Sequence, residues 1–288
     1  MRLMIIGADG QLGADLVLQF QNGNDLIPLT REDGDIADFD AVQALIEKHQ
    51  PDVIINTAAF HNVPECETRP LRAFEVNALG ARNLAMATNS KDIKLVQIST
   101  DYVFDGLKRG PYTENDCPNP LNVYANTKLA GEYFVRSNCR DFMILRVSGI
   151  YGKTRCIGKG CNFINTMLRL YREGQSLRVV TDEVLTPTST VEISRQLEAM
   201  IEANCHGLYH VTAEGSCSWH EFARSIFEIL EWPAEVQEAR VADFPPTVKR
   251  PHYSVLENKR LKQAGINRMK NWKDALTEFL NTTEVDNL

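Results

Sequence analysis

The sequence predicts an α/β fold, a doubly wound parallel sheet with a smaller mixed α/β domain beside it. Short apolar runs alternate with helical spacing through the first half of the chain, which is typical of parallel strands covered by helices on both faces. A glycine-rich turn directly follows the first of these runs, and the regular alternation stops after Tyr151-Gly152. With 288 residues, the chain is long enough for a main domain and a second, smaller one.

Five apolar runs in the first half have the length of buried strands. They are residues 3–6, 26–29, 53–56, 95–99 and 142–147. Four stretches beside them have the apolar spacing of helices, and they are residues 14–20, 40–49, 71–90 and 126–138. Pro51 ends the second helix, because proline lacks the N–H that a helix interior needs.

The second half mixes strands and helices without strict alternation. The predicted helices are residues 163–173, 191–202, 219–230 and 272–280, and the predicted strands are residues 177–180 and 208–211. Trp219, Phe222 and Ile226 form one apolar stripe along the third of these helices. We therefore predict a large domain at residues 1–148, to which residues 184–211 return. The smaller domain would use residues 149–183 and 212–288.

Charge and composition restrict the function classes. The formal net charge is −7, which argues against nucleic acid or an anionic membrane as the main partner. The N-terminus lacks the apolar region of a signal peptide, and no apolar run approaches the roughly 20 residues of a membrane span. Seven cysteines without a Cys-x-x-Cys pair or zinc-type spacing predict reduced thiols and no metal site. We therefore expect a cytoplasmic protein.

The glycine-rich turn predicts a dinucleotide site. It follows the first strand and opens the first helix, so its glycines permit a close approach of backbone N–H groups to a pyrophosphate. We assign these residues to the cofactor site: Gly7, Asp9, Gly10, Gln11, Leu12 and Gly13. The alternative is a turn that binds nothing. The strand–turn–helix context favours a Rossmann-type dinucleotide-binding domain at residues 1–148.

The end of the second strand bears on the choice between NADPH and NADH. An acidic residue there would accept a hydrogen bond from the ribose 2′-hydroxyl, whereas an arginine suits a 2′-phosphate. Arg31 stands at this point and favours NADPH, while the adjacent Glu32 and Asp33 leave NADH open. The alternative for Arg31 is a solvated surface charge. Asp35 and Ile36 are predicted to hold the adenine.

Tyr124 and Lys128 are four residues apart in a helical segment and therefore share a face. Alone, Tyr-x-x-x-Lys is a weak pattern, because most instances pair an ordinary aromatic ring with a solvated lysine. Thr100 adds a hydroxyl at the carboxyl end of the fourth predicted strand, the edge where open parallel sheets bind ligands. We predict that Thr100 holds a substrate oxygen and that Tyr124 donates a proton as hydride arrives. Lys128 would bond the nicotinamide ribose and lower the tyrosine pKa.

Four segments resemble the extended short-chain dehydrogenase/reductases. They are residues 7–13, Asn56-Thr-Ala-Ala59, Ser99-Thr-Asp-Tyr-Val-Phe-Asp-Gly106 and residues 124–132. Within that superfamily, Pro120-Leu-Asn-Val-Tyr124, Asn162-Phe163, Gly207-Leu-Tyr-His210 and Arg250-Pro251 resemble the dTDP-4-dehydrorhamnose reductase family. The resemblance runs from Met1 to about Leu280, which is nearly the whole chain.

The resemblance implies NADPH-dependent reduction of a nucleotide-linked 4-keto-6-deoxy sugar, the step that completes dTDP-L-rhamnose for polysaccharides, with NADH as the alternative cofactor. It implies that Ala58 and Ala59 contact the cofactor, and that Asp101, Tyr102 and Asn162 lie near the sugar nucleotide. The cations proposed for its diphosphate are Arg250, Lys153, Arg155, Lys159 and Lys249. The alternative for these cations is solvated loop charge.

Three positions depart from the family pattern. Gly149 stands where many members have a tryptophan that would pack on the sugar, Pro64 follows Val63 where aspartate is usual, and His61 replaces a common threonine. These departures spare the hydride chemistry and leave the sugar open. The alternatives are an epimerase, a reductase of another deoxysugar, and a non-catalytic regulatory subunit of the methionine adenosyltransferase type.

The resemblance also raises a metal and a dimer. Some members of the dehydrorhamnose reductase group hold magnesium at a dimer contact through carboxylates, and Asp15 and Glu192 are near such positions. The match is loose, so we assign no metal ligand and leave magnesium and a homodimer open.

Overall fold

A six-stranded parallel sheet forms the centre of the fold. The computed structural model describes residues 1–89, 91–154, 162–245 and 248–284. In chain order the strands are β1 (Arg2–Ile6), β2 (Asp25–Leu29), β3 (Val53–Asn56), β4 (Lys94–Thr100), β5 (Phe142–Val147), β6 (Ile150–Tyr151), β7 (Leu177–Val180), β8 (Val184–Leu185), β9 (Thr188–Ser189), β10 (Gly207–His210), β11 (Cys217–Ser218) and β12 (Val236–Ala239). The central sheet has the order β10-β5-β4-β3-β1-β2, and each neighbouring pair is parallel. The predicted fold class is confirmed.

Helices cover both faces of this sheet. In chain order they are α1 (Gln11–Phe20), α2 (Phe39–His49), α3 (Val63–Thr68), α4 (Pro70–Phe74), α5 (Gly80–Asn89), α6 (Val123–Asn138), α7 (Phe163–Arg172), α8 (Thr190–Glu202), α9 (Trp219–Ile229), α10 (Lys259–Gln263) and α11 (Trp272–Asn281). Side chains of β1 alternate between two cores, because successive strand residues point to opposite faces. Leu3 and Ile5 pack with α1 and α8, whereas Met4 and Ile6 pack with α2 and α5. In the described part of the chain, no helix has the length and apolar character of a membrane span.

A third core lies under a smaller set of mixed elements. Leu168 of α7, Phe222 of α9 and Phe279 of α11 pack together there with β7, which pairs in parallel with β12. Short pairs flank this core, β8 with β11 and β6 with β9. By contrast, β10 pairs with β5 of the main sheet, and α8 packs against α1. The domain boundaries drawn from the sequence stay a prediction.

The prediction of one continuous α-helix at residues 71–90 is wrong. The structure divides it into α4, a wider π-helical turn at Glu75–Leu79, and α5, while Ser90 lies outside the described residues. Asn77 in the wide turn accepts a hydrogen bond from the Phe60 N–H at 2.8 Å. Its amide nitrogen donates to the Phe60 carbonyl and to Thr127 Oγ1, both at 2.9 Å. These bonds tie the wide turn to α6 and to the loop after β3, which a uniform helix would not do.

Helix α3 was not predicted from the sequence. Asn62 caps it, because its side-chain oxygen accepts a hydrogen bond from the Glu65 N–H at 3.3 Å. Pro64 lies in the first turn, where a missing N–H costs nothing. The Val63-Pro64 departure is therefore compatible with a local helix start.

A buried ion pair joins β4, β5 and α6. Arg146 donates from Nε and Nη2 to the two carboxylate oxygens of Glu132, at 2.9 and 2.6 Å. Ser99 Oγ donates to the same carboxylate at 2.5 Å. The side chains of Arg146 and Glu132 are only 2% and 1% exposed. Each charge therefore depends on the other, because a lone buried charge is costly.

We predict that Glu132→Gln lowers the free energy of unfolding by about 3 to 5 kcal/mol, because it leaves the Arg146 guanidinium buried without a counter-charge. Urea-induced unfolding followed by circular dichroism measures this loss. Glu173→Gln is the matched control, since Glu173 pairs with Arg169 on an exposed helix surface and should cost less than about 1 kcal/mol. Equal losses in the two variants would contradict the assigned role of the buried pair.

Candidate active site

One large cavity of about 1050 Å³ opens at the carboxyl ends of the central strands. Among the predicted site residues, these line it: Gly7, Asp9, Gly10, Gln11, Leu12, Arg31, Asp35, Ile36, Ala58, Ala59, Thr100, Asp101, Tyr102, Tyr124, Lys128, Asn162 and Arg250. Gly13 does not line the cavity, and its assignment to the cofactor site stays a prediction. A Cβ at Gly13 would meet the Gly7 carbonyl oxygen at 2.0 Å, so this glycine lets α1 pack closely against the turn.

The glycine-rich turn fits a dinucleotide. Gly7 has a φ of +80°, and a Cβ there would meet Thr57 Oγ1 at 2.7 Å and the Ala58 nitrogen at 3.0 Å, so only glycine suits this position. Helix α1 begins after Gly10 without a side-chain cap and without an acidic residue in its first turn. Its first N–H groups are therefore left to an anion. This cradle suits a pyrophosphate.

The part of the cavity where the sequence predicts the adenosine is lined by Arg31, Arg72 and Asp35. Asp33 is held in the turn after β2, where it accepts hydrogen bonds from the Thr30 N–H and hydroxyl at 2.8 and 3.1 Å. Asp35 lines the cavity, with Arg31 Nη2 at 3.9 Å and Arg72 Nη2 at 2.6 Å from its Oδ2. The sequence reasoning missed Arg72. It comes from α4, and its spacing from Arg31 carries no recognisable pattern.

The three predicted catalytic side chains meet at the opposite end. Thr100 is the last residue of β4, and Tyr124 lies in the first turn of α6, which Asn122 caps through the Ala125 N–H at 2.9 Å. The Thr100 hydroxyl lies close enough to the Tyr124 phenol to influence its pKa, and both side chains line the cavity. Lys128, one turn further along α6, donates from Nζ to the Ile98 carbonyl at 2.7 Å. The arrangement presents two hydroxyl groups side by side to a substrate oxygen.

The expected effect of Lys128 on Tyr124 is not found. Burial raises the pKa of Tyr124, and the nearby Asp101 carboxylate adds to the rise, although the Thr100 hydroxyl opposes it. Burial also lowers the pKa of Lys128 to about 8, against the opposing effect of Glu132. In this fold, desolvation therefore outweighs any lowering of the tyrosine pKa by the ammonium. The phenol keeps its proton at neutral pH.

Asp101 and Tyr102 line the cavity beside this hydroxyl pair. Burial raises the pKa of Asp101 to about 6, while hydrogen bonds from Ser254, Ser148 and Thr100 hold the rise back. The Tyr102 ring lies edge-on to the Tyr124 ring, with 6.3 Å between centroids. Burial raises the pKa of Tyr102 as well. Both groups face the region where a polar substrate would lie against Tyr124.

Asn162 and Arg250 differ in how their polar groups are used. Asn162 caps α7 by accepting from the Asn165 N–H at 2.9 Å, and it donates to the Gly152 carbonyl at 3.1 Å. These bonds give it a structural role, and its contact with substrate stays a prediction. Arg250 lines the cavity, and its buried Nε has no hydrogen-bond partner within the described part of the chain. A ligand acceptor would satisfy that group.

The cationic loop expected at the diphosphate is only partly visible. Lys153 donates to the Thr282 carbonyl at 2.9 Å, and neither it nor Lys249 lines the cavity. Arg155 and Lys159 lie outside the described residues. Of the five predicted cations, Arg250 therefore has structural support as a group that faces the cavity.

The carboxylates considered for magnesium have protein partners. Asp15 accepts a hydrogen bond from Thr190 Oγ1, and Glu192 pairs with Arg195 at 2.7 Å. Within the described ranges, no group of three or more His, Cys, Asp or Glu side chains could hold a metal ion. Magnesium binding stays untested.

An aromatic pair and a carboxylate were missed at the sugar end. Phe163 and Trp219 line the cavity with ring centroids 4.5 Å apart, and Glu183 lies beside them. Gly149 has a φ of +49°, and a Cβ there would meet Leu185 Cδ1 at 2.7 Å, so a tryptophan does not fit at this point. His61 lines the cavity, so it lies near the site. No local sequence pattern shows that these groups meet, because they lie in elements that are far apart along the chain.

Fold and relatives together define the class of protein. The chain is an extended short-chain dehydrogenase/reductase, an NAD(P)H-dependent oxidoreductase built on a parallel dinucleotide-binding sheet. A family model described as "RmlD substrate binding domain" matches residues 1–285. The chain belongs to that family, the dTDP-4-dehydrorhamnose reductases, which confirms the resemblance seen in the sequence.

Three relatives illustrate the match. A dTDP-4-keto-6-deoxy-D-glucose reductase of Streptomyces niveus is 36% identical over 288 residues, covering 99% of this chain and 98% of the relative. A crystal structure of a dTDP-4-dehydrorhamnose reductase from Clostridium acetobutylicum has 39% identity and a TM-score of 0.93, covering 98% and 99% of the two chains. The Bacillus anthracis reductase, solved in complex with NADP, has 36% identity, a TM-score of 0.93 and the same coverage.

We predict that Lys128 makes the free energy of unfolding depend on pH in a characteristic way. Its pKa falls from the ordinary value of 10.5 to about 8 on folding, so the unfolded chain binds more protons between these two values. The contribution of Lys128 to the free energy of unfolding therefore rises by about 3 kcal/mol as the pH increases through that window. Lys128→Met lacks this contribution.

Urea unfolding at about pH 7.5 and at about pH 10.5 tests this, because all other titrating groups are common to both proteins. The stability advantage of Lys128→Met over the natural chain should shrink by about 3 kcal/mol as the pH rises. A difference that stays constant with pH would show that Lys128 is not desolvated in the folded protein.

Proposed function

We propose that this chain reduces the 4-keto group of a nucleotide-linked 4-keto-6-deoxy sugar with NADPH, and that the sugar nucleotide is dTDP-4-dehydro-L-rhamnose. The observation that carries the proposal is the Thr100–Tyr124 hydroxyl pair, which shares one cavity with the glycine-rich turn of α1. The names of the related reductases support the substrate class. A relative solved with NADP supports the cofactor.

Side chains of the protein supply the proton that the reduction needs. Bound NADPH supplies a hydride to the carbonyl carbon. The Thr100 and Tyr124 hydroxyls hold the carbonyl oxygen, and the Tyr124 phenol gives it the proton that completes the alcohol. Because burial raises the pKa of Tyr124, the phenol is in the protonated form that this step consumes. Lys128 lies one turn away to bond the nicotinamide ribose.

The cavity walls supply the remaining binding groups. The first turn of α1 would hold the pyrophosphate, with Ala58 and Ala59 beside it, while Asp35 and Ile36 would enclose the adenosine. At the sugar end, Asp101 and Tyr102 offer polar contacts. The unpartnered Nε of Arg250 suits a diphosphate oxygen. A cytoplasmic location and a homodimer stay predictions.

The alternatives differ in what they do with the cofactor. A reductase of another deoxysugar is favoured by the Streptomyces niveus relative, whose name gives a dTDP-4-keto-6-deoxy-D-glucose substrate. An epimerase would return its cofactor to the starting state after each turnover. A non-catalytic regulatory subunit would not need the side chains of Thr100, Tyr124 and Lys128, which are all present and face one cavity.

We expect Tyr124→Phe to lower turnover by at least about a hundredfold, because it removes the proton donor. Affinity for NADPH, measured by fluorescence titration, should change less than about twofold. Tyr133→Phe is the matched control, because Tyr133 lies on the exposed side of the same helix and should keep full activity. Turnover of Tyr124→Phe at the natural rate would remove Tyr124 from the mechanism.

A panel of nucleotide-linked 4-keto sugars tests the substrate. We expect stoichiometric NADPH oxidation, with dTDP-4-dehydro-L-rhamnose giving the highest kcat/KM. A higher value for another 4-keto sugar would assign the chain to that reductase. Sugar conversion without net NADPH consumption would indicate an epimerase, and no conversion with any sugar would favour the regulatory subunit.

A further inference from the structure

Arg72 reaches the adenosine end of the cavity from a part of the chain with no recognised cofactor motif. It lies in α4, whereas Arg31 and Asp35 follow β2. The Arg72 guanidinium donates from Nη2 to Asp35 Oδ2 at 2.6 Å and from Nη1 to Glu75 at 3.2 Å. Both Arg72 and Arg31 line the cavity together with Asp35. The end of the cavity therefore has two guanidinium groups that approach the same carboxylate oxygen, Asp35 Oδ2.

Two guanidinium groups are brought together at this end although the whole chain is acidic. Arg31 and Arg72 line the cavity here with Asp35, and Arg72 also pairs with Glu75. Glu32 does not line the cavity, and the carboxylate of Asp33 accepts hydrogen bonds from the Thr30 N–H and hydroxyl. Against the effect of burial, a hydrogen bond from the Ala37 N–H and the two guanidinium groups hold the pKa of Asp35 below its usual range. The guanidinium N–H groups that the carboxylates leave unused can donate to the oxygens of a phosphate.

The two arginines differ in how well they are held. The Arg31 side chain is 79% exposed, and its nearest carboxylate oxygen is 3.9 Å away. The Arg72 side chain is 22% exposed and is fixed by two carboxylates. A guanidinium fixed in advance loses less conformational entropy when it binds a phosphate. Its bonds to Asp35 and Glu75 leave further N–H groups for a ligand. Of the two arginines, Arg72 is therefore the better preorganised to bind a phosphate.

We propose that Arg72, held by Asp35, contacts the 2′-phosphate of NADPH beside Arg31 and so determines the preference for NADPH over NADH. This rests on the proposed use of NADPH. From the sequence, Arg31 was the candidate for this task, with a solvated surface charge as the alternative, and its side chain is exposed. The neighbouring cavity residues Ile36 and Val76 are apolar and suit the adenine face, which leaves the phosphate to the guanidinium pair.

Two nucleotide fragments test the proposal without sugar or turnover. The probes are 2′,5′-ADP, which contains the 2′-phosphate, and 5′-AMP, which lacks it, and binding to the full chain is measured by calorimetry. Arg72→Gln should weaken 2′,5′-ADP by about tenfold to a hundredfold, the range for a lost charge-assisted contact. The affinity for 5′-AMP should change less than about twofold. Arg72→Lys keeps the charge but not the forked guanidinium geometry. Its affinity for 2′,5′-ADP should lie between the affinities of Arg72→Gln and the natural chain.

Two comparisons separate a direct contact from other effects. Arg69→Gln removes an equal charge from the preceding turn, where Arg69 pairs with Glu65 and does not line the cavity, and it should change both affinities less than about twofold. Arg31→Ala should also weaken 2′,5′-ADP more than 5′-AMP. If Arg72→Gln leaves 2′,5′-ADP unchanged, or weakens both fragments equally, Arg72 only stabilises α4 and the proposal is wrong.

The outcome is independent of the sugar. A natural chain that binds 2′,5′-ADP no better than 5′-AMP overturns the 2′-phosphate site, even if it reduces 4-keto sugars with NADH. A chain that reduces none of the sugars yet shows the Arg72 dependence supports the site and overturns only the proposed reaction. If Arg72→Gln fails to fold, judged by circular dichroism, Arg72→Lys decides the question with the same two fragments.

Discussion

The buried Arg146–Glu132 pair is the interaction on which the catalytic geometry depends. Glu132 lies one turn after Lys128 on α6, and Ser99, which donates to the same carboxylate, directly precedes Thr100. The pair therefore fixes α6 against β4 and β5 at the level of the reactive side chains. A half-formed pair would leave a charge in a site that excludes water, which is far less stable than either the complete pair or an apolar core. The spacing between Thr100 and Tyr124 is thus a consequence of a contact that lies behind the site.

The same burial sets the protonation states at the site. It raises the pKa of Tyr124 and lowers that of Lys128, because both charged forms lose hydration. A tyrosine that must give up a proton during reduction does not need to ionise beforehand, so a high pKa suits the reductive direction. The role that we propose for Lys128 is to position the cofactor ribose. Of the two groups, the Lys128 ammonium has its pKa closer to neutral pH, so its charge is the more sensitive to pH.

The sequence predicted the parts of the site that are local. The glycine-rich turn and the Tyr124–Lys128 pair were found because strand, turn and helix periods determine where their residues lie. Arg72, Glu183 and Trp219 were missed, because their positions depend on how separate elements pack. The break in the helix at residues 71–90 was missed for a similar reason, since the wide turn is coupled to the long-range bonds from Asn77 to Phe60. The lowered tyrosine pKa was wrong because spacing shows a neighbouring charge but not its desolvation.

The departure at Gly149 shows how chemistry and sugar recognition are separated in this fold. Gly149 lies between β5 and β6 with a φ of +49°, and a Cβ there would meet Leu185 Cδ1 and Pro187 Cα, so this position disfavours an aromatic side chain. The aromatic surface at that end is the Phe163–Trp219 pair, and its two members come from the starts of α7 and α9 in the smaller set of elements. The hydroxyl pair and the glycine-rich turn, by contrast, belong to the central sheet and the helices that follow its strands. Changes in the smaller elements can therefore alter the sugar that fits without moving Tyr124, which is consistent with relatives whose names share the reduction and differ in the sugar.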